Sequence, residues 1–193
     1  MENNEIIELC QQIYAEHKEA LDLIYENRPD RLQNVSVLFK EWCRKQHEQG
    51  KIYLDEEKCS KSYIRFRTPF MENYILKSNN ISGWNTKNHY YYEIASYCDK
   101  SDNVKFAIQL SFNSSNLEQE NLKQLENIIK AIQPDKPLKE NWQWKTVYKS
   151  KTETIRGDAI LPDDFADSFL YKKLDKMFDE ILKKENRIAL LSV

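Results

Sequence analysis

Three arrangements in this 193-residue chain bring together residue types that can do chemistry. Pro134-Asp135 followed by Gln143-Trp144-Lys145 has the spacing of a metal-dependent nuclease site. In such sites an aspartate and a second acid hold a divalent cation while the lysine polarises water and phosphate. Here Gln143 occupies the second acid's place, and a neutral amide oxygen adds no anionic charge for a hard cation. Asp135 lies in the proline-flanked stretch "QPDKP", which reads as a helix terminator, and Lys145 reads as a solvated strand residue. Cys98 and His89 form a second possible pair, nucleophile and base, but Cys98 adjoins a polar turn with no identifiable oxyanion donor. Cys43 and His47 share a helical face at i, i+4, and two ligands do not make a metal site.

From these patterns we expect no catalytic residue, no metal and no cofactor. Absent motifs point the same way. The only glycines are Gly50, Gly83 and Gly157, so neither a phosphate-binding G-x-x-x-x-G-K-[ST] loop nor G-x-G-x-x-G can be built. There is no G-x-S-x-G elbow and no H-E-x-x-H. Cys10, Cys43, Cys59 and Cys98 are widely spaced and read as reduced thiols, with Cys10 and Cys43 on apolar faces.

A binding surface is the remaining possibility. Arg65 and Arg67 alternate on one strand, and Lys145, Lys149 and Lys151 alternate on another, both sets pointing away from the apolar positions. If those strands are neighbours they form a basic strip, on which Trp84 and Tyr91 can stack against bases. The competing reading makes the lysines protectors of an exposed sheet edge and the tyrosines packing residues.

These residues need elements to hold them. Ile6, Leu9, Cys10, Ile13, His17, Leu21 and Ile24 set a helical stripe over residues 4–25. A second helix, with Val35, Leu38, Phe39, Trp42 and Cys43 on its inner face, runs to about Gln49 and closes at Gly50. Together they predict a helical hairpin over residues 1–50. "YIRF" is a short strand, Thr68-Pro69 opens a short helix, and "WNTKNHYYYEI" enters a strand whose tyrosines divide between core and surface. "VKFAIQLSF" pairs with it through the turn "CDKSDN". Ser115 with Glu118 is the capping box of the next helix. "WQWKTVYKSKTETI" reads as one long strand, and a last amphipathic helix begins at Pro162 with Asp163 or Asp164.

The order predicts an α+β fold: an antiparallel sheet covered by helices on one face, residues 51–193, preceded by the helical hairpin, the two making one structural unit. An apolar share of 40% is too high for disorder, and a formal charge of −2 gives no global attraction to phosphate. The first residues lack a basic and apolar leader, and no run suits a membrane span, so a cytoplasmic location without membrane contact is expected. The apolar tail "IALLSV" either docks on the core or contacts another chain, which would make a homo-oligomer.

The runs "SGWNTKNHYYYEI", "VKFAIQLSFNSSNL" and "ENWQWKTVYKSKTETI", followed by a charged amphipathic helix, resemble the uncharacterised domain found at the C-terminus of bacterial PD-(D/E)XK-superfamily nuclease proteins. The resemblance spans roughly residues 62–187 and does not extend to the nuclease domain. It implies a setting in nucleic-acid processing or defence, with DNA or RNA and a nuclease or other defence protein as partners, and it carries over no catalytic residue. Three readings stand: a non-catalytic recognition or accessory domain, a protein-interaction scaffold, and a divergent metal-dependent nuclease using Asp135 and Lys145.

Overall fold

Periodicity of the apolar residues explains most of the architecture. The computed structural model describes residues 3–26, 30–156 and 169–190. The expected start of the last helix, at Pro162 to Asp164, lies outside them. Residues 1–30 and 31–193 form two compact units.

The first unit is helix α1 (Asn3–Glu26), interrupted at His17, whose φ of −123° and ψ of 24° are not helical. Its apolar stripe is not buried: Ile6, Leu9, Ile13, Ile24 and Tyr25 are all exposed, as are His17 and Cys10. The second unit holds the sheet, and α2 (Arg31–Glu48), expected in the hairpin, belongs to it. Gly50 ends α2 at φ 70°, its N–H donating to the His47 carbonyl while that of Lys51 donates to Gln46. That is a paired-carbonyl stop that needs a residue tolerant of the left-handed region.

Among the described residues six antiparallel strands follow: β1 (Tyr53–Leu54), β2 (Tyr63–Arg67), β3 (Tyr90–Cys98), β4 (Val104–Asn113), β5 (Trp144–Lys149) and β6 (Glu153–Ile155). Their spatial order is β1-β2-β3-β4-β5, with β6 also paired to β4. The expected long last strand is therefore two strands, separated at Ser150–Thr152, both lying along β4. Ser150 makes the join: its N–H donates to the Ile108 carbonyl and its hydroxyl accepts from the Ile108 N–H.

Helices α3 (Pro69–Tyr74), α4 (Gln119–Ile132) and α5 (Tyr171–Leu190) belong to the same unit. The sheet's inner face, with Phe66, Tyr92, Ile94, Phe106, Ile108 and Phe112, is buried with Phe39 and Trp42 of α2, Leu125 and Ile129 of α4, and Leu174, Phe178 and Ile181 of α5. This is the α+β arrangement that the alternating and helical patterns predict. Thr68 caps α3, accepting from the Met71 N–H, but the expected Ser115–Glu118 box does not form: Glu118 is the N-cap and gives no side-chain cap. Ile188 is 2% exposed and part of the core, so the apolar tail begins by docking on its own chain. No described helix is long and apolar enough to cross a membrane.

Candidate nucleic-acid interface

Strand pairing decides which predicted site residues meet. Two strands, β3 and β4, lie between β2 and β5, so the arginines and lysines stand about 14 Å apart across the sheet and form no continuous strip. The expectation that required neighbouring strands is corrected by this topology. Arg65, Glu93 and Gln109 instead make one cross-strand row on the face opposite the helices. Within it the Arg65 Nε donates to Glu93 at 2.8 Å, and the Gln109 amide donates to the other Glu93 oxygen at 2.9 Å. Arg67 is likewise engaged, donating to Glu72 and, at 3.4 Å, to Asn88. Burial pushes the Glu72 carboxyl up, and the Lys77 hydrogen bond with the Arg67 charge outweighs it, leaving the group below its usual value. Both arginines are therefore already neutralised.

Tyr91 is 0% exposed. Its hydroxyl donates to Asp55 and accepts from Asn88, its edge meets Trp84, and burial with the Asp55 contact pushes its pKa up to about 12. A ring enclosed in this way has no face for a base. All three tyrosines of the 90–92 run are buried, where a division between core and surface was expected. Trp84 lies in the loop before β3, half-buried, with its ring perpendicular to that of Trp144 at 4.7 Å between centroids. Trp144, expected on the apolar face of its strand, is 52% exposed.

The three lysines divide. A register shift against Leu110 and Ser111 leaves Val147 as an extra residue in β5. Across this shift Lys145 pairs with Phe112 and Lys149 with Gln109, so the two lysines do not share one alternating row. Lys145 lines a groove of about 430 Å³ on the open sheet face, together with Arg65, Trp84, Glu93, Gln109 and Trp144. Lys149 and Lys151 line a different groove of about 310 Å³, between β5 and α5, where they meet Lys183, Lys184 and Arg187.

That second groove gathers five cations around one carboxylate, Glu180, which accepts from the Tyr148 hydroxyl at 3.3 Å. Burial and the neighbouring Glu180 raise the Tyr148 pKa to about 12, so the phenol stays protonated. Among the described residues no carboxylate pairs with Lys149, Lys151, Lys183 or Arg187, and Lys184 rests over the Tyr148 ring at 5.9 Å. The α5 cations were missed in the sequence. Their signal was the spacing of 180, 183, 184 and 187, which share one helix face at i, i+3, i+4 and i+7.

His89 immediately precedes β3 and Cys98 ends it, so they are about 30 Å apart and form no nucleophile pair. The His89 ring nitrogens instead face the carbonyls of Asn113 and Asn80. Cys43 is fully buried, its thiol pushed up by burial, while the His47 ring faces the Ile52 carbonyl. Asp135 sits in an exposed turn after α4, off the sheet, and Gln143 precedes β5. Among the described residues no three His, Cys, Asp or Glu side chains converge as metal ligands do. No protein family, curated protein or solved structure matches the chain.

Proposed function

We propose that this chain is a non-catalytic nucleic-acid-binding accessory domain, and that the groove between β5 and α5 carries its contact with the phosphate backbone. The observation that supports this reading is the set of five cations, Lys149, Lys151, Lys183, Lys184 and Arg187, converging in one concavity of a protein whose net charge is −2. A local field of that kind attracts a polyanion where the whole molecule does not. Spare lysines on one strand alone would be explained by edge protection, but cations from a strand and a helix facing one groove exceed that need. The resemblance to the nuclease-associated domain agrees with a module that works beside a nuclease. Fluorescence anisotropy of labelled oligonucleotides tests the reading: Lys183→Glu/Arg187→Glu should abolish binding, and equal affinity in that variant would remove the groove from the account.

A second reading, a protein contact, is favoured by α1. Between residues 3 and 26 it carries Glu5, Glu8, Glu16, Glu19, Asp22 and Glu26 against Lys18, around exposed isoleucines and tyrosines. Pairing with a second copy would oppose carboxylates to carboxylates, so the partner it suits is a helix with basic flanks. A designed peptide of that kind should bind the intact chain and fail to bind the Ile13→Asp/Ile24→Asp variant.

A further inference from the structure

The open-face groove has a construction that the phosphate contact does not use. Trp144 forms one wall and presents an exposed ring. The Cζ2–Cη2 end of that ring is seated on Gly83, where a Cβ would come within 2.5 Å of Trp144 Cζ2 and 2.8 Å of Asn113 Nδ2. Trp84 braces it edge-on, and the Gly83 N–H donates to Asn113 Oδ1 at 2.8 Å, which ties the loop to β4. An indole held on two sides with its remaining surface open is a stacking platform whose ordering cost is already met by the fold.

The floor is equally specified. Arg65 holds the Glu93 carboxylate, which is 5% exposed. An ionised carboxylate only accepts, so the Gln109 amide must turn its NH₂ toward Glu93. The same nitrogen reaches Ser111 Oγ at 3.4 Å. Gln109 Oε1 is therefore left as an acceptor, and the Ser111 hydroxyl, having accepted, is left as a donor. An acceptor beside a donor in a groove that an indole also lines matches the edge of a nucleobase. Lys145, without a partner among the described residues, stands at the same groove for the attached phosphate. A volume of about 430 Å³ lies within the roughly 300–1,000 Å³ typical of small-molecule pockets.

We propose that this groove seats one unstacked base of a single-stranded nucleic acid, stacked on Trp144 and read at its edge by Gln109 and Ser111. The proposal rests on the nucleic-acid reading above and deepens it. β5 joins the two grooves, since Lys145 and Thr146 line one and Lys149 the other, so a strand whose base enters the sheet face continues with its phosphates toward α5. Duplex DNA, with its bases stacked, gains only the phosphate contacts.

The test compares a labelled oligothymidylate with an abasic oligomer of equal phosphate number, using the intact chain and its Trp144→Ala and Trp144→Phe variants. We expect tighter binding of the thymidylate, at least about fivefold weakening of that binding in Trp144→Ala, near-recovery in Trp144→Phe, and no change for the abasic oligomer in any of the three. Equal binding of the two oligomers, or a Trp144→Ala loss shared by both, overturns the base seat and leaves the phosphate groove standing. Binding of neither oligomer overturns both readings. Circular dichroism of Trp144→Ala separates lost stacking from lost fold.

Discussion

Arg65 and Glu93 face each other across β2 and β3, with the guanidinium Nε 2.8 Å from the carboxylate and the side chains only 17% and 5% exposed. A residue that reads in the sequence as a nucleic-acid contact is thereby a structural counter-ion. Removing one partner of a shielded pair leaves the other charge uncompensated, whereas replacing both by apolar groups does not. Arg65→Ala should lower the unfolding free energy by about 3 kcal/mol, and Arg65→Met/Glu93→Leu should recover most of it. Urea denaturation of the three proteins checks this; an Arg65→Ala loss below about 1 kcal/mol would mean that Gln109 alone satisfies the carboxylate.

Glu185 is buried on α5, accepting from the Tyr92 hydroxyl at 2.8 Å and from the Thr68 hydroxyl, with no cation paired to it among the described residues. Burial raises its pKa above the ordinary 4.5, and the two hydroxyl donors offset this only in part. A carboxyl whose folded pKa is raised contributes stability that is fully present below 4.5 and is lost as pH climbs through the raised value. Glu185→Gln keeps an oxygen for both hydroxyls without the charge. The variant should melt higher than the parent at neutral pH, with the difference shrinking toward acid. A parent that stays as stable as Glu185→Gln from acid to neutral pH contradicts the assignment.

Gly83→Ala should displace the Trp144 ring, which the added Cβ would meet at 2.5 Å, and press on the buried Asn113 amide at 2.8 Å. The expected signature is a red-shifted tryptophan emission with a stability loss of about 1–3 kcal/mol. Unaltered emission would show that the backbone gives way instead and that Trp144 is not seated by the glycine.

How much of this was legible in the sequence depends on what each residue answers to. Strands with strict alternation, such as Val104 to Phe112, and helices with a full stripe, such as Val35 to Cys43, were readable because burial imposes the period directly. The division of β5 from β6 was not, since an extra residue at Val147 and a break at Ser150 depend on pairing with β4. Lys149 and Lys151 were legible as basic strand residues, yet their companions Lys183, Lys184 and Arg187 lie on a helix more than thirty residues away in sequence, and only packing brings them together. Tyr91 and Arg65 were misleading for one reason: the carboxylates that engage them, Asp55 and Glu93, lie on other elements.

The salt dependence of oligonucleotide binding tests the β5–α5 groove most directly. Each cation that displaces counterions from a single strand contributes about −0.7 to the slope of log affinity against log salt. With the five cations of the β5–α5 groove engaged, the slope should be about −3.5, falling by about 1.4 in magnitude in Lys183→Gln/Arg187→Gln. A slope that is the same in parent and variant, or no binding at low salt and micromolar protein, contradicts the proposal that this groove binds nucleic acid.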